Sequence, residues 1–174
     1  KSVAIYQPQL GTISITGGTV EGYAAIGIKS GTLNITGGTV RGVANDDVLD
    51  DSYSNTNGIA YDGSAIVIDS YIGYSGQMNL TISGDAVVQS LHSTAIHEIG
   101  NVAGMTNVVN LKVEGGYLSS AGGKDCILVR ETTKDTVSVT GGAFTSNPGA
   151  YAGDGYAAAA ETKVVNGVTY YYTV

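Results

Sequence analysis

The chain has 174 residues, a net charge of −7, 26 glycines and only two prolines. One domain accounts for this length. The negative charge argues against a nucleic-acid partner, since phosphates require basic patches. No apolar run approaches the ~20 residues that cross a bilayer, so we expect no membrane insertion.

The first recurring element is the phrase Gly-Thr-Ile-Ser-Ile-Thr-Gly-Gly-Thr-Val at 11–20, which returns at 31–40 as Gly-Thr-Leu-Asn-Ile-Thr-Gly-Gly-Thr-Val. Degenerate copies occupy 78–87, 109–118 and 136–144. Alternating apolar and polar residues predict a strand with one buried face. The glycine pair that follows suits a sharp corner. After each corner one apolar residue is predicted to turn inward: Val20, Val40, Val87, Leu118 and Phe144.

Two predicted columns of stacked core residues follow from the phrase, where a column is a set of equivalent positions in successive copies. They are Ile13, Leu33, Leu80, Leu111 and Val137, and Ile15, Ile35, Ile82, Val113 and Val139. A second short strand begins with a small residue followed by Ile, at 4–5, 25–26, 65–66, 95–96 and 126–127. Cys126 holds the small position in the last of these, which predicts a buried thiol.

The most irregular segment is 43–64, which interrupts the repeat with an acidic, tyrosine-bearing loop. Its carboxylates at Asp46, Asp47, Asp50 and Asp51 offer hard oxygen ligands for Ca²⁺. Their spacing lacks the order of an EF-hand loop, so a solvated acidic loop is the alternative interpretation. Apart from this candidate Ca²⁺ site, the sequence indicates no cofactor.

Tyrosines concentrate in the same loop and in the neighbouring loop 69–77. A tyrosine offers an apolar ring face and a hydroxyl to a sugar. In a solenoid, insertions map to one face and often form the binding side. The predicted ligand-binding residues are therefore Tyr53, Tyr61, Asp62, Asp69, Tyr71 and Tyr74. The alternative is that these tyrosines only seal a loop over the core.

Candidate acid–base residues lie at His92, His97 and Glu98. Alternation directs His97 outward, which predicts a surface histidine, and His92 falls in the preceding corner. Glu98 falls at an inward position, and Ile99 after it predicts a β-bulge that ejects the charge to solvent. The sequence supports no catalytic residue set.

The C-terminal part, 157–174, is predicted to cap the stack. It contains Asn166-Gly167 between two β-rich runs, a strong signal for a type I′ hairpin. The chain starts within the second-strand pattern, at 3–5, without comparable cover. We therefore expect a single domain, 1–174, that is excised from a larger protein.

The recurrent phrase resembles the repeats of bacterial extracellular right-handed β-helix proteins of the pectate-lyase-like superfamily. A period of twenty residues does not fit the hexapeptide repeats of left-handed helices. The predicted fold is all-β, a right-handed single-stranded parallel β-helix of about five to six rungs with a C-terminal hairpin. Each rung is one turn of the coil.

The resemblance implies a non-enzymatic binding or spacer module of a bacterial surface protein, located outside the cell. The implied partner is a glycan or a host surface protein, and an adhesin-like, carbohydrate-binding role fits the tyrosines. The alternatives are a fragment of a polysaccharide lyase or glycoside hydrolase and a protein-binding adhesin. Arg41 and Arg130 share no obvious acidic cluster, as a lyase would require, and the Gly-His-Gly phrase of polygalacturonase-like hydrolases is absent.

Overall fold

The computed structural model describes residues 2–45, 62–69, 77–99, 109–129 and 136–174. Within these ranges the chain forms strands and a single 3-10 turn at Gly149–Tyr151. The strands are β1 (Val3–Gln7), β2 (Thr12–Gly22), β3 (Ala24–Ile28), β4 (Gly31–Gly42), β5 (Ile66–Asp69), β6 (Met78–Ile82), β7 (Val87–Ser90), β8 (Ile96–Ile99), β9 (Val109–Ser119), β10 (Ile127–Leu128), β11 (Thr136–Phe144), β12 (Lys163–Val165) and β13 (Val168–Tyr172). The predicted all-β class is confirmed.

A smaller sheet contains five parallel strands in the order β1, β3, β5, β8, β10. Its central column is Ile5, Ile26, Ile66, Ile96 and Ile127, each paired with the next. These are the isoleucines of the second-strand pattern, so their predicted alignment is confirmed. Their side chains pack in the main hydrophobic core.

A larger sheet runs in the order β12, β13, β11, β9, β6, β4, β2. All pairs from β11 to β2 are parallel. Strand β7 continues in line with β6, because the two pair with successive parts of the long strands β4 and β9, which lie on either side. The strands β4, β6, β9 and β7 thus form a closed circuit of pairs, with the corner at 83–86 between β6 and β7.

Both predicted columns of the larger sheet are confirmed. Each residue of one copy is the register partner of its equivalent in the next. The column through Ile35 is buried from end to end, whereas in the column through Leu33 the two outermost residues, Ile13 and Val137, are only partly buried. Stacking of identical positions therefore builds one continuous core between the two sheets.

The inward residue after the third corner is Val88, and the prediction of Val87 is wrong. Val88 is buried and pairs with Val40, whereas Val87 is partly exposed and pairs with Thr39. The corner after Ile82 contains one more residue than the corner after Ile35. Because successive side chains in a strand point to opposite faces, this extra residue moves Val87 to the outer face.

The predicted C-terminal hairpin is confirmed. β12 and β13 pair antiparallel around Asn166 and Gly167, whose φ angles of 51° and 80° are both positive, as a type I′ turn requires. β13 also pairs antiparallel with β11, where Tyr171 lies opposite Phe144. The hairpin therefore extends the larger sheet at its C-terminal edge.

Candidate functional site

Most residues of the predicted loop site lie outside the described part of the chain. This applies to the four predicted Ca²⁺ ligands, Asp46, Asp47, Asp50 and Asp51, and to the tyrosines Tyr53, Tyr61, Tyr71 and Tyr74. Asp62 and Asp69 are described, and both are buried. Whether either one binds a ligand stays a prediction.

Asp62 lies in the corner before β5 and belongs to a buried hydrogen-bond network. Its Oδ1 accepts from the backbone N–H of Ser64 at 3.0 Å. Its Oδ2 accepts from Ser93 Oγ at 3.2 Å and lies 2.9 Å from His97 Nδ1. Ser90 extends the network, since its hydroxyl donates to Gly63 O and accepts from Ser93 N. The network joins the corners of two successive strands of the smaller sheet.

The environment of Asp62 favours the ionised carboxylate. Burial acts to raise the pKa of Asp62, but the hydrogen bond from His97, the charge of its imidazole and the N–H of Ser64 together hold the pKa below its usual value. A carboxylate only accepts hydrogen bonds, so the proton of this pair lies on His97 Nδ1. His97 Nε2 is buried and has no hydrogen-bond partner within the described ranges.

The second buried carboxylate, Asp69, ends β5 and forms an ion pair. Lys29 Nζ lies 2.8 Å from Asp69 Oδ2, and the two side chains are 0% and 1% exposed. Lys29 directly follows β3, the neighbour of β5 in the smaller sheet. Two adjacent strands thus end in opposite charges that stabilise each other away from water.

Two sequence predictions about this region are wrong. His97 pairs with Val67 and lies on the side of the sheet opposite Ile96, as predicted, but it is 1% exposed and not a surface residue. Glu98 pairs with Ile68 in unbroken register, with no β-bulge, and it is buried. The outer face of the smaller sheet is itself covered, which alternation alone does not reveal. His92 is exposed, as predicted.

A different cluster of tyrosines lies on the outer face of the larger sheet. Val87, Tyr117, Ala143 and Tyr172 occupy one column across β7, β9, β11 and β13. Small Ala143 separates the two tyrosines in this column. Tyr170 lies two residues before Tyr172 and so on the same face of β13.

Tyr117 stands between two shallow hollows. The first, of about 240 Å³, is the tyrosine groove: Tyr117 and Tyr172 border it, Asp85 and Thr173 line it, and corner glycines form its floor. The second, of about 280 Å³, lies between Tyr117 and the C-terminal hairpin. Tyr117 meets the ring of Tyr170 edge to face, with centroids 5.7 Å apart, and remains 38% exposed.

The floor of the tyrosine groove contains no side chain because its corner must be glycine. Gly116 has a φ of +86°, and a Cβ atom there would lie 2.7 Å from Ala86 O of the preceding repeat. Gly142, in the corner of the next repeat, has a φ of +102°. Stacked corners thus leave a flat channel beside the tyrosines.

The sequence contains a signal for this groove that the loop-centred prediction missed. The third copy of the corner phrase with a glycine pair reads Gly-Gly-Tyr-Leu where the first two read Gly-Gly-Thr-Val. Tyr117 therefore replaces an outward threonine, equivalent to Thr39, by a large aromatic residue. An aromatic residue at a polar outward position is a sign of a contact surface.

Other features of the described residues add no second site. Cys126 is buried, as predicted, and its thiol contacts Leu118 O at 3.3 Å. A small cavity of about 100 Å³ lies beside it, under the 3-10 turn.

No group of three or more His, Cys, Asp or Glu residues is arranged to hold a metal ion in the parts that the structure describes. Nor do those parts contain a helix long and apolar enough to cross a membrane.

Comparison with known proteins identifies no relative. No family model, no curated protein and no solved structure matches the chain.

Proposed function

We propose that the chain is a non-enzymatic, extracellular glycan-binding module built on a right-handed parallel β-helix, with the tyrosine groove as its binding site. The in-register parallel pairs of both sheets support the β-helix, because a coil whose turns stack gives each wall such a ladder. The resemblance of the repeats to those of bacterial surface proteins supports the location.

The observation that carries the proposal is the partial exposure of Tyr117 beside a groove whose floor consists of corner glycines. A sugar ring presents C–H groups to an aromatic face and hydroxyls to polar atoms around it. Asp85 supplies an acceptor at the rim of the tyrosine groove. Thr173 lines the same groove, and its Oγ1 is buried without a hydrogen-bond partner in the described chain. Apolar faces with a few polar groups at the edges are typical of ligand sites.

A carbohydrate-active enzyme is the second candidate function. The imidazole of His97 favours it, because Asp62 fixes the ring and Nε2 has no hydrogen-bond partner among the described residues. Against it, His97 is buried, and the tyrosine groove contains one carboxylate, Asp85, rather than the pair that glycoside hydrolysis uses. The binding function therefore fits the exposed residues better.

The test is a glycan array with the purified chain, followed by calorimetric titration of the best ligand. Tyr117→Thr restores the residue that the repeat places in this column. We expect it to weaken binding about tenfold or more, since one lost aromatic contact of 1.4 kcal/mol corresponds to that factor. Tyr156→Thr removes an exposed tyrosine that does not line the groove; it is the matched control and should bind as wild type.

Three outcomes would contradict the proposal. The first is that no glycan binds. The second is that Tyr117→Thr binds as well as wild type. The third is turnover of a polyuronide or host glycan that depends on His97, which would favour the enzyme. Binding of a protein ligand at Tyr117 would identify an adhesin instead.

A further inference from the structure

The tyrosine groove contains a carboxylate at a position where the repeat otherwise has glycine. Among the described residues, Asp85 is the only charged residue that lines the groove. The other four copies of the phrase have two glycines at their corners, at 17–18, 37–38, 115–116 and 141–142. The remaining corner has Gly84 followed by Asp85, and Asp85 is exposed. The one charged corner residue therefore lies beside Tyr117 and Tyr172, which border the same groove.

The carboxylate of Asp85 is available to a ligand. It forms no ion pair with any cation in the part of the chain that the structure describes. Glu114, directly before the floor residue Gly115, is exposed and adds a second negative charge nearby. Lys112, on the same strand, lies two residues further from the floor, about 6.6 Å along the strand. The charges closest to the floor are therefore negative.

The aromatic rings of the groove also favour a positive charge. The face of a tyrosine ring attracts an ammonium group, because the ring quadrupole is negative at its face. The chain itself contains such a contact, since Lys163 Nζ lies 4.9 Å from the centroid of the Tyr172 ring. Tyr117, which is 38% exposed, offers a second ring. A carboxylate beside two tyrosine rings suits a cationic group better than a neutral or anionic one.

We propose, on the basis of the glycan-binding function proposed above, that the groove selects sugars with a free, protonated amine. The ammonium group of a hexosamine unit binds Asp85 through a charge-assisted hydrogen bond, and the C–H face of the ring packs against Tyr117. An N-acetylated unit has the same ring but a neutral amide, so it lacks the charged contact. A uronic acid is disfavoured, because its carboxylate meets the negative charge of Asp85.

The test is calorimetric titration with two β-linked tetramers, one of glucosamine and one of N-acetylglucosamine. We expect the glucosamine tetramer to bind about tenfold more tightly at low salt, because only its amine makes the ionic and cation–π contacts. This ratio should shrink in molar salt, which screens exposed charges. Asp85→Asn keeps the size of the side chain but removes its charge, and it should bring the ratio close to one. Lys163→Gln should strengthen binding of the glucosamine tetramer, since it removes a neighbouring ammonium group.

The matched control is Asp154→Asn, which makes the same change of net charge at an exposed residue that does not line the groove. It should keep the wild-type ratio, and thermal melts should show that all three variants fold. Equal binding of both tetramers, a ratio that Asp85→Asn does not lower, or an equal loss in Asp154→Asn would overturn the inference. Tighter binding of a lysine-rich peptide than of the glucosamine tetramer would overturn it as well. Each of these results leaves a Tyr117-dependent glycan site possible, whereas the absence of all glycan binding contradicts the proposed function itself.

Discussion

The two sheets have similar parallel ladders but different surroundings. In the larger sheet, buried residues alternate with more exposed ones along β4, β6 and β9. In the smaller sheet, every residue of β3, β5 and β8 is buried. Parallel strands that are covered on both faces cannot leave a polar side chain to water. A strand pattern in the sequence therefore does not reveal what the outer face of the strand contacts. In the larger sheet this face meets water, whereas in the smaller sheet it is buried and contains a polar network.

The contrast between buried and exposed surroundings is sharpest for two ion pairs with similar N–O distances. Lys29 and Asp69 lie 2.8 Å apart in the smaller sheet, at 0% and 1% exposure. Arg41 and Glu21 lie 3.0 Å apart in the larger sheet, at 36% and 47% exposure. The geometry of the two pairs is alike, so any difference in their contribution to stability comes mainly from access to solvent.

The largest effect is expected for Lys29→Met, which keeps most of the side-chain volume but removes the ammonium group. Asp69 then remains buried and loses its ion pair with Lys29. We expect the free energy of unfolding to fall by about 3–5 kcal/mol, measured by urea denaturation. Lys29→Met combined with Asp69→Leu should recover part of this loss, because both charges of the pair are then removed. A single-variant loss below about 1 kcal/mol would show that the buried pair behaves like a surface pair.

An intermediate effect concerns acid stability. The pKa of Asp62 is lower in the folded chain than the usual value of about 3.8 for a solvated aspartate, so folding favours the ionised form. Its contribution is therefore fully present above the unfolded pKa and is lost as pH falls through the folded pKa. Asp62→Asn should be less stable at neutral pH and should lose less further stability on acidification below pH 3.8. Denaturant melts across a pH series measure this difference.

Asp154→Asn is the control for that series. Asp154 is exposed on the C-terminal segment, so its carboxylate meets water in both the folded and the unfolded state. It should follow the wild-type acid dependence. If Asp62→Asn did the same, the buried network would make no pH-linked contribution.

The smallest effect is expected for Glu21→Gln in the larger sheet. Exposed ion pairs contribute between about 0 and 1 kcal/mol, and salt screens them. We expect a loss within that range in dilute buffer and none in molar salt, measured by the same urea denaturation. A loss comparable to that of Lys29→Met would mean that solvent access does not separate the two pairs.

The sequence predicted the parts of the fold that depend on local pattern and repetition. The column of Ile15, Ile35 and Ile82 follows from alternation within each copy of the recurrent phrase, and the hairpin follows from the positive φ angles that Asn166 and Gly167 tolerate. These features need no knowledge of distant residues.

The remaining features depend on what covers each face. Alternation placed His97 on the outer side of its strand but could not say that this side is buried against Asp62. The bulge predicted at Glu98 assumed that a carboxylate cannot remain inside, yet the register is unbroken. The tyrosine groove arises when Tyr117, Tyr170 and Tyr172 meet across strands that are far apart in sequence. Only tertiary structure brings these residues together.

The register between β2 and β4 has a consequence for how such a chain changes length in evolution. Ile13 pairs with Leu33, and Gly22 with Gly42, so this repeat spans twenty codons. An in-frame duplication of these codons would add a repeat that keeps the columns aligned. Deletion of one codon within a strand of the new copy would turn the apolar side chains beyond it outward. The later repeats are longer than twenty residues and still keep the columns aligned, so additional residues are accommodated between the strands, as in the corner that contains Gly84 and Asp85.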